Sequence, residues 1–368
     1  MKVLVTGANG FIGKNLVLRL REQIGIEVLT FVRGQDDTDL REALVQCDAV
    51  VHLAGENRPA DLQGFADVNA GLTGRVCQCI KASGKIIPLL LISSTQAELN
   101  NPYGISKLAA EQEVQALAKD QGNPVAIYRL PGVFGKWCKP NYNSVVATFC
   151  HNKAHDLPVE IRDASASVRL VYVDDVVSSL LGQLTAAWKG LMRPSVVPEY
   201  SITLGELSDQ IDAFKNCRST LTLERVGTGL PRALYATYVS YLPVEKFAYN
   251  VPAYEDKRGV FVEMLKTPDS GQFSFFTAHP GTTRGGHYHH TKTEKFLVVK
   301  GHARFGFRHM LTNEVHHLET QGDQPQIVET VPGWTHEITN IGTEEIVVML
   351  WTNEVFDRAN PDTITSKV

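Results

Sequence analysis

A chain of 368 residues is too long for one ordinary domain, and 43 % hydrophobic content is ample for two buried cores. A net charge of −4 gives no general attraction to nucleic acid or to an anionic membrane. The start has no basic-then-apolar leader, and no apolar run reaches the length of a membrane span. The expectation is a cytoplasmic protein with neither nucleic-acid nor membrane partners. The six cysteines (Cys47, Cys77, Cys79, Cys138, Cys150 and Cys217) show no zinc-type spacing and read as reduced thiols.

The first stretch reads as strand, tight turn and helix. A β-branched run leads into Gly7, Gly10 and Gly13, and Leu16, Val17 and Leu20 follow at helical spacing. Glycines here let the backbone approach a pyrophosphate, and the free N–H groups at the helix start favour the anion. Residues 27–33 alternate as a second strand. It ends in Arg33, where an acid would grip the ribose 2′-hydroxyl of NAD. An arginine suits a 2′-phosphate and favours NADP; a solvated loop arginine is the other reading.

A helix over 39–46 and a third strand over 49–55 come next, the strand ending in Leu53, Ala54 and Gly55, small enough to run beside a cofactor. His52 in that strand reads as a packed residue. A helix over 68–82 leads to the apolar run 89–92, which fits a strand buried on both faces of a parallel sheet. Helix and strand alternate throughout, the doubly wound pattern.

The fourth strand ends in Ser93, Ser94 and Thr95, at the edge where open α/β sheets bind ligands. Tyr103 and Lys107 then open a helix and share a face four residues apart. A cationic lysine beside a tyrosine is expected to lower its pKa towards neutrality, and Ser94 is placed to hold a substrate oxygen. With a nicotinamide, such groups reduce a ketone.

These residues resemble the extended short-chain dehydrogenase/reductases, the nucleotide-sugar epimerases and dehydratases. The matches are Thr6, Gly7, Gly10 and Gly13; Ser93, Ser94 and Thr95; Tyr103 and Lys107; and the runs 128–135 and 171–176. The resemblance covers roughly residues 1–240 and implies a Rossmann-like sheet and a nucleoside-diphosphate-sugar substrate. It also implies a catalytic set of Ser94 (with Thr95 as the fallback), Tyr103 and Lys107. Gly7, Asn9, Gly10, Phe11, Ile12, Gly13, Arg33, Leu53, Ala54, Gly55, Tyr103, Lys107 and Leu130 would bind the cofactor. Residues 143–162 would help hold the nucleotide, with Arg162 and Arg169 as diphosphate partners or solvated arginines.

After about Val239 the alternation stops. A reductase domain over 1–243 and a linker over 244–259 are expected, followed by a β domain over 260–368. The short β-rich runs at 273–278, 294–300, 303–307, 326–331 and 345–350 read as a sandwich or barrel. Nine of the twelve histidines fall at or after His279. His287 and His289 share a strand face, and Glu294 and His336 could complete a site of imidazoles and a carboxylate for Zn, Fe, Mn or Ni. His290 is a further ligand candidate. A polar barrel interior without an ion is the alternative.

This segment resembles the cupins, a jelly-roll family, with Pro332 directly before Gly333 as a departure from the usual second motif. Asp256, Arg258, Gly259, Phe261 and Glu263, with the run 284–287, resemble the deoxysugar 3,5-epimerase branch. There a histidine in the position of His287 removes a proton next to a sugar ketone, so His287 is base or metal ligand. Together the halves resemble a bifunctional family of capsular polysaccharide enzymes. That resemblance implies C3 epimerisation of a UDP-4-keto-6-deoxy-N-acetylhexosamine in the cupin. NADPH reduction at C4 would then give UDP-N-acetyl-6-deoxy-L-talosamine. It also implies zinc, structural or catalytic. The alternatives are a reductase with a non-catalytic dimerising or ligand-sensing cupin, or an NAD-dependent 4,6-dehydratase or 4-epimerase. A homodimer through the β domain is expected.

Overall fold

The computed structural model describes residues 1–368 except Ala60, Ala248, Thr291, Leu311, Pro332, Gly333 and Asn360. The departure noted at Pro332 and Gly333 therefore lies outside the described residues. The chain divides into two units, one of residues 1–211 with 232–242 and one of residues 212–231 with 243–368. Residues 212–231, assigned above to the reductase domain, group with the second unit.

The first unit begins with β1 (Lys2–Thr6), α1 (Phe11–Arg21), β2 (Glu27–Phe31), α2 (Asp37–Gln46) and β3 (Ala49–His52). Asp36 caps α2 through the backbone N–H groups of Thr38 and Asp39, and the Asp39 side chain closes the capping box. A short helix α3 (Gln63–Phe65) and a π-helical turn (Ala66–Gly71) precede α4 (Leu72–Ser83). The sequence suggested one regular helix here; the wider turn instead carries Asn69 inward.

β4 (Leu89–Ser94), a 3₁₀ turn (Thr95–Glu98), α5 (Pro102–Gln121) and β5 (Val125–Leu130) follow. Then come β6 (Gly132–Phe134), α6 (Val145–Ala154), β7 (Ser167–Tyr172), α7 (Val173–Thr185), β8 (Leu191–Met192) and β9 (Tyr200–Thr203). The main sheet runs β2-β1-β3-β4-β5-β8 with every neighbour parallel. Its order reverses between β1 and β3, which opens a crevice at their carboxyl ends. β4 is buried on both faces up to Ser93, as its apolar run requires. Two helices, α8 (Leu204–Thr220) and α9 (Gly229–Val239), close the helical part of the chain.

The second unit is all antiparallel among its named strands. One sheet runs β10 (Ala253–Asp256), β11 (Gly259–Thr267), β12 (Gly271–Ala278), β19 (Ile346–Thr352), β14 (Glu294–Lys300) and β17 (Ile327–Glu329). The other runs β16 (Val315–Gln321), β15 (His302–His309), β18 (Trp334–Asn340), β13 (Thr283–Tyr288) and β20 (Ile364–Thr365). Phe276, Phe296, Phe305, Ile338 and Val348 pack the core of this unit. Such a double sheet is the cupin arrangement. Among the described residues, no helix is long and apolar enough to cross a membrane.

Candidate active site and metal centre

The turn after β1 explains its own glycines. Gly7 has φ +67°, and a Cβ there would lie 2.7 Å from the Ala54 nitrogen. A Cβ on Gly13 would collide with the Gly7 carbonyl oxygen. The loops after β1 and β3 therefore pack backbone to backbone. Gly10 caps α1 with extended backbone and no side-chain partner, and no acid stands in the first turn. That helix start is free to receive an anion.

A cleft of about 780 Å³ opens beside this turn. Asn9, Gly10, Phe11, Ile12, Arg33, Leu53, Gly55 and Leu130 line it together with Ser94, Thr95, Tyr103 and Lys107. Gly7, Gly13 and Ala54 do not line it; they belong to the two packed loops behind. Arg33 ion-pairs with Glu56 at 3.0 Å, and Glu56 also accepts from Tyr142 at 3.3 Å. Sequence reasoning missed Glu56 and Tyr142, although Tyr142 immediately precedes the stretch expected to hold nucleotide. Of that stretch, Asn143 and Ser144 reach the cleft. Arg169 is engaged by Glu199, and Arg162 is exposed.

Asn101 caps α5 by accepting from the Gly104 N–H at 2.8 Å. Gly104 is forced by proximity, since a Cβ would strike the carbonyl oxygens of Gln96 and Leu99. The helix therefore lies against the 3₁₀ turn that follows Ser94, and Ser94 and Tyr103 line the same cleft. Lys107 is 8 % exposed and donates to the Ile92 carbonyl at 2.9 Å. Burial pulls its pKa down to about 8, with Glu111 opposing. The expectation that Lys107 depresses the Tyr103 pKa is corrected. Burial pushes the phenol up, with the nearby Ser94 hydroxyl opposing. Lys107 gives one of its three N–H groups to the Ile92 carbonyl, and burial leaves Tyr103 holding its own proton at neutral pH.

His52 is buried between Thr6, 2.6 Å from Nδ1, and Thr73, 2.9 Å from Nε2. Asn69 accepts from the Glu56 N–H at 2.9 Å and donates to Ser106 at 2.9 Å, fixing the loop after β3. No sequence pattern announced it, because a π-helical turn breaks the periodicity.

In the second unit, Gly285 (φ +90°) and Gly286 (φ +74°) shape a bulge just before His287. The bulge sets His287 opposite His336 across β13 and β18. Glu294 comes from β14 in the other sheet. His287, His289, Glu294 and His336 each offer a ligand atom, and these atoms lie within 4.8 Å of one another. Glu294 Oε2 is 3.3 Å from His289 Nε2 and 3.1 Å from His336 Nε2, close enough for ion pairs but misaligned for hydrogen bonds. Buried lone pairs converging on one point are what a cation satisfies, so the donor set fits a metal. Burial works against the Glu294 charge, but the two imidazoles outweigh it and hold its carboxyl well below the usual range.

His289 Nδ1 bonds the Asp362 carbonyl, which leaves Nε2 for the group. His290 is not brought in. It is exposed, its backbone N–H donates to the Asp362 carboxylate, and its ring packs on Tyr288. The expectation of His290 as a ligand fails in this geometry because the chain leaves the strand after Tyr288. His287 is half-buried and lines a cavity of about 150 Å³ with Arg258, Arg284 and Phe296.

Residues 3–190 match the NAD dependent epimerase/dehydratase family, and residues 254–364 match the polysaccharide biosynthesis C-terminal domain. With the parallel sheet and its glycine turn, the first match makes this an epimerase/reductase-class enzyme with a nicotinamide cofactor. Over 368 residues the chain is 56 % identical to the UDP-2-acetamido-2,6-beta-L-arabino-hexul-4-ose reductase of Pseudomonas aeruginosa PA103, covering all of this chain and 99 % of that one. It superposes on the capsular polysaccharide assembling protein CapF from Staphylococcus aureus with TM-score 0.91 at 40 % identity, each chain covered completely. The chain belongs to this CapF-like family of nucleotide-sugar enzymes of polysaccharide synthesis. A partial relative, the UDP-glucose 4-epimerase of Vibrio cholerae, is 28 % identical over 183 residues, covering 39 % of this chain and 55 % of that one.

Proposed function

We infer that the chain epimerises C3 of a UDP-4-keto-6-deoxy-N-acetylhexosamine in its cupin and then reduces the C4 ketone with NADPH. The product is UDP-N-acetyl-6-deoxy-L-talosamine. The observation that carries this reading is the presence, in one chain, of the Ser94–Tyr103–Lys107 cleft and the His287 group. Each acts on the same carbonyl.

In the cupin, His287 takes the proton from C3, and the C–H electron pair moves into the enolate of the C4 ketone. Reprotonation from the opposite face inverts C3. His287 is assigned this step because His289, Glu294 and His336 are only 1 %, 6 % and 5 % exposed, whereas His287 is half-buried in the wall of the cavity that Glu294 and His336 also border. Those three would hold a divalent ion, zinc by their donor chemistry, which when bound supplies a fixed positive charge.

In the reductase unit, Gly10, Phe11 and Ile12 would hold the cofactor diphosphate and Arg33 its 2′-phosphate. A reduced nicotinamide, when bound, supplies the hydride to C4. Tyr103 gives its phenolic proton to the C4 oxygen, Ser94 orients that oxygen, and Lys107 holds positive charge behind them. Reduction destroys the acidifying carbonyl, so epimerisation comes first.

The test is incubation with the UDP-4-keto-hexosamine in D₂O, with and without NADPH, followed by NMR. Deuterium enters C3 without NADPH, and the C4 alcohol forms only with it. His287→Asn abolishes the exchange. A variant that still exchanges C3 at the wild-type rate would remove the epimerase assignment.

A further inference from the structure

Glu111 lies beneath the reductase cleft, fully buried, one helical turn beyond Lys107 on the same face of α5. A buried carboxylate is costly unless every lone pair is engaged. Here it is engaged on both oxygens. Ser93 donates to Oε1 at 2.6 Å. Arg129 grips both oxygens, at 2.9 and 2.8 Å, and Arg193 approaches Oε2 at 3.4 Å. Arg129 also donates to Glu98 on the 3₁₀ turn at 2.9 Å.

The partners come from every segment that carries the chemistry. Ser93 precedes Ser94 at the end of β4, Glu98 closes the turn that begins at Thr95, and α5 bears Tyr103 and Lys107. We propose that Glu111 is a positioning residue of the reductase cleft. Its buried carboxylate clamps the Ser94 strand end to the Tyr103–Lys107 helix and supplies the negative charge that keeps Lys107 an ammonium ion. This rests on the reading of Ser94, Tyr103 and Lys107 as the reducing set.

Glu111, although shared with Arg129 and Arg193, is the carboxylate that acts on Lys107. From β4 Lys107 meets the Ile92 carbonyl. The β3 side offers His52, pushed down to about 3 by burial and so uncharged at neutral pH. The π-helical turn offers the neutral amide of Asn69, and α5 itself the protonated phenol of Tyr103. Burial lowers the Lys107 pKa and Glu111 opposes it.

The experiment is the pH profile of NADPH oxidation with the keto sugar for the full-length wild type, Glu111→Gln, Glu111→Asp and Ser93→Ala. Glu111→Gln lowers kcat on the order of tenfold, leaves the KM for NADPH flat, and moves the alkaline fall of activity down by about one pH unit. Glu111→Asp and Ser93→Ala lower kcat but keep the wild-type alkaline limb, because the charge remains. An unmoved limb in Glu111→Gln overturns the proposal. So does an equal shift in Ser93→Ala or Glu111→Asp, the two readouts that serve if Glu111→Gln does not fold. A wild type that oxidises no NADPH overturns the reductase reading itself, and this inference with it.

Discussion

His287 and His336 stand opposite each other across β13 and β18, with ring centroids 4.7 Å apart at nearly a right angle. His336 lies 3.1 Å from Glu294 on the facing sheet, and both border the same cavity as the less buried His287. On the proposed reading, one strand pair presents two imidazoles to two tasks.

That division predicts how metal content responds to substitution. On that assignment the purified wild type is expected to carry one equivalent of zinc, and the ion to raise its thermal midpoint. Glu294→Gln and His336→Ala bind metal 10- to 100-fold more weakly, on the order expected for a damaged ligand set. His287→Asn retains the ion while losing C3 exchange. Elemental analysis after dialysis decides it; a zinc-free His287→Asn would make that residue a ligand instead of the base.

The proposed NADPH preference rests on Arg33, whose side chain is 87 % exposed and held by Glu56. Arg33→Gln raises the KM for NADPH on the order of 10- to 100-fold, the worth of a charge-assisted contact to phosphate. The KM for NADH stays where it was. Steady-state kinetics with both cofactors check this, and equal losses for the two would show that Arg33 does not read the 2′-phosphate.

His52 makes the reductase unit acid-sensitive. Its pKa falls from an ordinary 6.5 in the unfolded chain to about 3 in the fold, chiefly through burial. Between those values the unfolded state binds the additional proton, so stability is lost as pH falls from 6.5 towards 3. His52→Asn removes that titration. The slope of unfolding free energy against pH becomes shallower by up to about 1.4 kcal/mol per pH unit. Denaturant unfolding of the reductase unit at pH 4, 5 and 6 measures it; an unchanged slope would mean His52 titrates normally in the fold.

Much of the architecture was legible because its causes are local. Glycines at positions 7, 10 and 13 answer to a turn built from neighbouring backbone, and Tyr103 and Lys107 share a face by helical geometry alone. The run of Leu89, Leu90, Leu91 and Ile92 is apolar throughout because both faces of that strand are covered. The loss of helical periodicity beyond Val239 marked the change to antiparallel sheets.

What the order of residues determined, then, was the two fold classes, the glycine turn and the chemical types available to each site. Tertiary structure alone decided which of those types meet. His290 follows His289 directly, yet Asp362, more than seventy residues later, holds that turn and leaves His290 in solvent. Glu111 reads as an ordinary helix-surface acid until Ser93, Arg129 and Arg193 close around it. Tyr103 keeps its proton because burial raises its pKa. Burial and partnership depend on chain segments distant in sequence, and local spacing carries no information about them.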